Sequence, residues 1–289
     1  MNFLESLQQT QEFATLPTVA SKLLQMLDRD DMDVRMLARH IEQDVAIASK
    51  VVRVANSPIF GLRIPVASVS HAIMTIGMTR VTNIVLGVSI FSKFVYLSTL
   101  AGDFLDRFWI HSAVTAALAR AIATKARLDF QEMEFLSGLV HDVGKLAMLQ
   151  ADAQRFKSVQ ENIAQGGGEL DAELEIFGAT HTEAGEIIAN IWKLPPQVQG
   201  MIRLHHDRTC SIEDISALLV VVRLADLYAE TMGYGIGETG DLRDELNYWW
   251  QRFSAVAPAN VLQSSDSLSH ELEGELGSAQ ALIAALTSN

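Results

Sequence analysis

The run Phe135-Leu136-Ser137-Gly138-Leu139-Val140-His141-Asp142-Val143-Gly144-Lys145-Leu146 decides how this chain is read. Its apolar residues suit a buried helix, yet His141, Asp142 and Lys145 interrupt them. A buried charge left without a partner costs about 3–5 kcal/mol, so a carboxylate amid apolar neighbours must face a metal, a cation or a group of N–H donors. The stretch Val221-Val222-Arg223-Leu224-Ala225-Asp226-Leu227 sets a second carboxylate in similar surroundings. Imidazole nitrogen with carboxylate oxygen is a donor set for zinc, iron, manganese or nickel.

Outward from this run, histidines gather between residues 111 and 206: His111, His141, His181 and the pair His205-His206. Taken singly, a helical histidine is more often a packed or surface residue than a ligand. His40 beside Arg39 reads as surface, His71 as packing at a seam between lobes, and His270 as solvated. The set is what points to metal. Successive helical residues project about 100° apart, so His205 and His206 can both face one site only where a helix ends.

The rest of the chain reads as helices, with no strand alternation. Apolar Val19, Leu23, Leu24 and Leu27 mark a helix after Pro17. Asp33 caps a second, with Leu37 and Ile41 inward, and Asp44 a third carrying Val45, Ala48, Val51, Val52 and Ala55. That helix stops at Asn56-Ser57-Pro58, a loop with Gly61 and Pro65 follows, and Ser68 opens a short helix ending at Gly77. Longer helices are expected over Met78–Ser92, Phe104–Lys125, Gln131–Gln150 and Ala151–Ala164. Gly166-Gly167-Gly168 is a break; with no preceding strand and no Gly-Lys-Ser/Thr after it, it does not read as a phosphate loop. Helices resume near Leu170, His181, Pro195 and Glu213. A Gly-rich loop spans Met232–Gly240, and a solvated helix or partly ordered tail starts at Ser264. The turn at Ala101-Gly102-Asp103 divides an N-terminal lobe, 1–102, from a second helical lobe, 103–240, with 241–289 as a C-terminal extension.

Composition agrees with an all-α fold and narrows the function. Of 289 residues 49% are hydrophobic, enough for one large domain or two moderate lobes. A net charge of −13 disfavours broad nucleic-acid affinity. Cys210 is the single cysteine, so no intrachain disulfide forms, which fits a cytoplasmic location. Met1–Phe13 lacks the basic and apolar regions of a signal peptide. The uncharged stretch Val81–Ser92 is too short for a membrane span.

The order His111, His141-Asp142, Asp226 resembles the HD superfamily of metal-dependent phosphohydrolases. In the N-terminal half, Leu16-Pro17, Ile41-Glu42-Gln43-Asp44 and Val51-Val52-Arg53-Val54-Ala55-Asn56-Ser57 resemble the front lobe of HDOD proteins, as do Gly61 and the segment Ser68–Gly77. The resemblance runs over roughly residues 10–235. It implies an all-α fold in which an N-terminal helical lobe packs on an HD-type bundle. It further implies a mono- or dinuclear divalent transition-metal centre. Asp142 would bridge two ions, His111, His141 and Asp226 would complete the first site, and His181, His205 and His206 would serve the second. Lys145 would reach phosphate, and Arg107, one turn before His111, could add a contact.

Many HDOD proteins have lost part of the metal set and act as signalling outputs without known catalysis; this chain keeps a nearly full set. The resemblance therefore implies first a signal-transduction module with a retained metal site and no robust turnover, reaching signalling proteins through its N-terminal lobe. A phosphohydrolase acting on a phosphoester or nucleotide, with Asp142 and Lys145 catalytic, is the alternative, and a metal-free helical scaffold the next. The HD-GYP phosphodiesterases of cyclic dinucleotides are similar in their ligands. They carry Gly-Tyr-Pro shortly after the histidine pair, where this chain reads Asp207-Arg208-Thr209-Cys210, and an acidic residue where it has Arg107.

Overall fold

The computed structural model describes residues 2–9, 16–27, 33–94, 103–211, 215–237, 241–257 and 264–287. Every regular element among them is helical. Before residue 95 these are α1 (Phe3–Gln9), which packs on α12 below, α2 (Thr18–Leu27), α3 (Val34–Glu42), α4 (Val45–Ala55), α5 (Val69–Ile76) and α6 (Met78–Lys93). After them come α7 (Asp103–Lys125), α8 (Met133–Val140), α9 (Val143–Ala151), α10 (Ala153–Ala164), α11 (Glu169–Phe177), α12 (His181–Ile191), α13 (Pro196–Leu204) and α14 (Ala217–Ala229). Three more helices close the chain: α15 (Arg243–Val256), α16 (Ser265–Glu273) and α17 (Leu276–Thr287).

Local chemistry sets many of these boundaries. Asp33 accepts from the Met36 N–H at 2.7 Å, Asp44 from Ile47 at 3.0 Å and Ser68 from His71 at 3.1 Å, each satisfying a first-turn donor. Thr180 and Glu183 form a reciprocal capping box ahead of α12. The caps expected at Asp33 and Asp44 are in place. Val45, however, is 74% exposed, because as the first residue of α4 it lies outside the buried face that Ile47, Val51 and Val54 define.

A helix that is apolar on every side belongs in an interior. Along α6 each residue from Val81 to Phe91 is buried, which places it inside the molecule: it packs on α2, α4, α5 and α8. Arg80 of α6 reaches across to Asp129 (2.8 Å) and to buried Glu132 (2.7 Å), and Arg120 of α7 closes on Glu132 at 3.0 Å. The Asn83 amide donates to the Gln131 carbonyl at 2.9 Å. Gln131 and Glu132 adopt φ of 54° and 67°, unusual for side-chain-bearing residues. The front lobe thus holds the α7–α8 connection in a conformation it would not choose alone.

Several expectations need correction. The helix expected over Gln131–Gln150 is two helices, broken at His141-Asp142, where Asp142 adopts φ −99° and ψ 15°. The Met232–Gly240 loop begins inside a π-helical turn, Glu230–Tyr234. The segment after Ser264 is not a solvated tail: Leu268, Leu272, Ala279, Leu282 and Leu286 are buried, and α17 packs on α4 and α7. The lobe-boundary residues Ala101 and Gly102 lie outside the described residues, as does Glu213; the helix expected near Glu213 starts at Ala217.

Candidate metal centre

Six helices deliver the histidines and aspartates to one place. His111 comes from the middle of α7, His141 ends α8 and Asp142 starts α9. His181 opens α12, His205 closes α13, and Asp226 lies on α14. Two glycines let the helices come close enough. A Cβ on Gly138 would lie 2.5 Å from the Ala116 Cα, so α8 can meet α7 only without one. A Cβ on Gly144 would lie 1.9 Å from the His181 carbonyl oxygen, so the same holds for α9 against α12.

The side chains form two adjoining groups, His111, His141 and Asp226 in one, and Asp142, His181, His205 and His206 in the other, with the ligand atoms in each within 4.8 Å of one another. Asp142 faces both. Its Oδ2 lies 3.4 Å from His141 Nε2 and 3.9 Å from His111 Nε2; its Oδ1 lies 3.2 Å from His181 Nε2 and 3.4 Å from His205 Nε2. Because α13 ends at Leu204, both members of the His205-His206 pair can turn inward.

Hydrogen bonds fix which nitrogen each ring presents. His111 Nδ1 lies 3.1 Å from the Tyr234 carbonyl, His141 Nδ1 3.0 Å from that of Gly138, and His205 Nδ1 2.8 Å from that of Ile202. His181 Nδ1 meets both oxygens of Glu173, at 2.9 and 2.8 Å. Carbonyls and carboxylates only accept, so each Nδ1 carries a proton and each ring turns its Nε2 inward, bare wherever the ring holds no second proton. Those nitrogens meet: Nε2 to Nε2 is 3.2 Å for His111–His141 and 3.3 Å for His181–His205. Asp142 Oδ1 has no hydrogen-bond donor although the residue is 2% exposed. Convergent acceptors without donors need positive charge between them, either protons or metal ions.

Burial and neighbours pull the ionisations apart. Burial lowers His205 to about 4. Burial also opposes charge on His181, but Glu173 and Asp142 raise it to about 10. Asp142 is held well below the carboxylate range, Lys145 and the histidines outweighing its burial. Burial pushes Glu169 up to about 7.

Lys145 is buried, with Nζ 2.7 Å from Asp142 Oδ2 and 2.7 Å from Glu169 Oε1. Arg107 is exposed and stands outside the two groups. Four supporting residues escape a reading of the sequence. Glu173 orients His181, Glu169 holds Lys145, Arg223 donates to Asp226 Oδ2 at 2.5 Å, and Tyr234 offers its carbonyl to His111. Glu169 and Glu173 sit four residues apart on an acidic helix that looks solvated in sequence. Arg223 stands one turn before Asp226, the one signal that could have found it. Outer partners of this kind set tautomer and ring orientation in metal sites.

Residues 13–208 match the family model of the HDOD domain. An uncharacterized protein of Treponema pallidum (strain Nichols) is 26% identical over 232 residues, covering 78% of this chain and 43% of that protein. The chain thus spans less than half the length of that curated relative. An HDOD domain protein of unknown function from Geobacter sulfurreducens shares the fold at a TM-score of 0.75 and 22% identity, over 95% of this chain and 93% of that one. A structure from Shewanella amazonensis SB2B, described as a candidate phosphohydrolase, gives a TM-score of 0.75 at 20% identity over 99% and 98%. At these identities the structural likeness speaks for the fold alone. No described helix is long and apolar enough to cross a membrane.

Proposed function

This chain belongs to the HDOD family, and from that premise we propose that its second lobe binds two divalent transition-metal ions and hydrolyses a phosphoester. The observation that carries the reading is the convergence of four inward Nε2 atoms on the Asp142 carboxylate, with one Asp142 oxygen toward each group. His111, His141 and Asp226 would hold one ion, His181, His205 and His206 the other, and Asp142 both; iron, manganese, zinc and nickel all accept this set. When bound, such ions supply Lewis-acid charge and lower the pKa of water from about 15.7 towards 7. Water then provides the new P–O bond, the ester P–O bond breaks, and the leaving oxygen takes up the proton.

The chain's own residues do the rest. Glu173 keeps the proton of His181 on Nδ1, and Arg223 holds the outer oxygen of Asp226. Lys145, buried beside Asp142 and Glu169, would set its ammonium against a phosphoryl oxygen. Arg107, exposed one turn before His111, is the outermost phosphate contact in this proposal.

A signalling module without robust turnover is the second reading, acting on partner proteins through the front lobe. Ile64 and Met74, 73% and 71% exposed, favour it as apolar side chains set toward solvent on that lobe.

Elemental analysis of the purified protein, followed by a panel of phosphoesters, separates the readings. Bound metal with turnover that Asp142→Ala abolishes supports hydrolysis. Bound metal without turnover, together with a partner captured by the front lobe, supports the module. A chelator should lower the melting temperature under both; a metal-free scaffold predicts no change.

A further inference from the structure

The His205-His206 pair stands on the turn that ends α13, so the chain just beyond it decides where His206 points. On one side the turn is closed locally. The Asp207 N–H donates to the Leu204 carbonyl at 2.8 Å, and the Asp207 side chain accepts from the Thr209 N–H at 2.7 Å. On the other side stands α15, which lies beyond the residues 13–208 that match the family model. Buried Trp249 and Phe253 mark its inner face, and it packs on α14.

The polar residues of α15 converge on Arg208, two residues after His206. The Tyr248 hydroxyl donates to the Arg208 carbonyl. The Arg208 guanidinium lies 4.3 Å from the centre of the Tyr248 ring, and its Nη1 meets Glu245 Oε1 at 2.9 Å. Arg252 lies over the same ring at 3.4 Å. Backbone and side chain of Arg208 are therefore both held by one helix.

Glu245 also reaches the other group of ligands. Its Oε2 lies 3.9 Å from Nη2 of Arg223, whose Nη1 donates to Asp226 Oδ2 at 2.5 Å. The other oxygen of Asp226 faces His111 at 3.2 Å and His141 at 3.6 Å. Arg223 is 2% exposed, and a buried guanidinium beside a ligand carboxylate repels a metal cation unless a second anion balances it. Glu245 supplies that anion. Exposed ion pairs add little to fold stability, so these contacts act on the geometry beyond His206 and on the charge beside Asp226.

Resting on the metal-binding reading above, we propose that Tyr248 and Glu245 are positioning residues of the centre. Tyr248 holds the turn that brings His206 to the second ion. Glu245 joins that turn to Arg223, and so to Asp226 at the first.

The test strips the full chain of metal and titrates it with cobalt(II). Visible absorption reports the coordination, and competition with a chelator of known affinity gives the two stepwise affinities. Tyr248→Phe removes only the hydroxyl and should weaken one step about tenfold, with an altered cobalt spectrum at that step. Glu245→Gln should weaken both steps several-fold. Asp241→Asn breaks the exposed Asp241–Arg243 pair at the start of the same helix and should change neither. Unchanged affinities and spectra in Tyr248→Phe or in Glu245→Gln, a loss at a single step in Glu245→Gln, or matching losses in Asp241→Asn would overturn the proposal and leave the metal centre standing. A lower melting temperature with cobalt binding intact would make α15 purely structural and overturn it as well. A chain that binds no cobalt under any condition would overturn the metal reading itself, and this inference with it.

Discussion

At the level of single residues, the centre depends on which nitrogen each histidine presents. Glu173 lies outside the two groups that Asp142 joins, yet both its oxygens sit on His181 Nδ1 and one also accepts the His181 backbone N–H at 2.7 Å. Glu173→Gln keeps the shape but allows the ring to turn its proton inward, so metal affinity should fall about 10–100-fold. Competition against a chelator of known affinity measures this, and an unchanged affinity would show that His181 needs no orienting partner. Histidine and aspartate are legible as sequence because they are uncommon amid apolar helices: all seven expected ligands, His111, His141, Asp142, His181, His205, His206 and Asp226, fall into the two groups. Glu173 is not legible, because a buried acid on an acidic helix has the same letters as a solvated one.

For the helices, the deciding quantity is how closely backbones approach. The break at His141-Asp142 redirects the chain so that α8 lies on α7 and α9 on α12, and glycine stands at each crossing, Gly138 and Gly144. Periodicity alone reads Gln131–Gln150 as continuous, since an apolar face continues across the break and nothing in it reports a change of direction. Gly144→Ala would drive a methyl group into the His181 carbonyl. The variant should lose about 1–3 kcal/mol of stability through overpacking, and also bind less metal at the His181 and His205 side. Gly200, inside α13 with open space around its missing side chain, supplies the contrast. Gly200→Ala should gain about 0.5–1 kcal/mol from helix propensity and leave metal binding alone. Denaturant melts with metal analysis check both; equal effects from the two glycines would contradict a special role for the α9–α12 crossing. The adjacent pair His205-His206 shows the opposite case, where a rule of helical geometry anticipated that both could serve only at a helix end, and α13 does end there.

Across the whole molecule, α6 is tied to the α7–α8 connection by charge as well as by a continuous apolar core. Order along the chain does not foretell this tie, because Arg80 lies 52 residues from Glu132. Nor does it foretell α17 crossing from α4 to α7, since a segment rich in Ala and Leu near a terminus reads alike whether packed or solvated. Glu134 stands in this tie, where burial first, and the neighbouring Glu132 next, push its carboxyl up to about 7, against the weaker pull of Arg120 and Arg80. The folded protein therefore holds this proton more tightly than the unfolded chain, whose glutamates ionise near the ordinary value of 4.5. Folding is unburdened by Glu134 below that value; stability drops as pH rises from there through about 7, and the loss levels off above. The gap between the two values corresponds to about 3 kcal/mol. Glu134→Gln removes the ionisation while keeping the shape, so the variant should be more stable than the parent at pH 8.5 and nearly equal at pH 5. Taking the difference between the two proteins at each pH cancels titrations they share, including those of the metal ligands. A difference that stays flat between pH 5 and 8.5 would mean that Glu134 ionises freely and that the ties between the lobes carry no pH dependence from it.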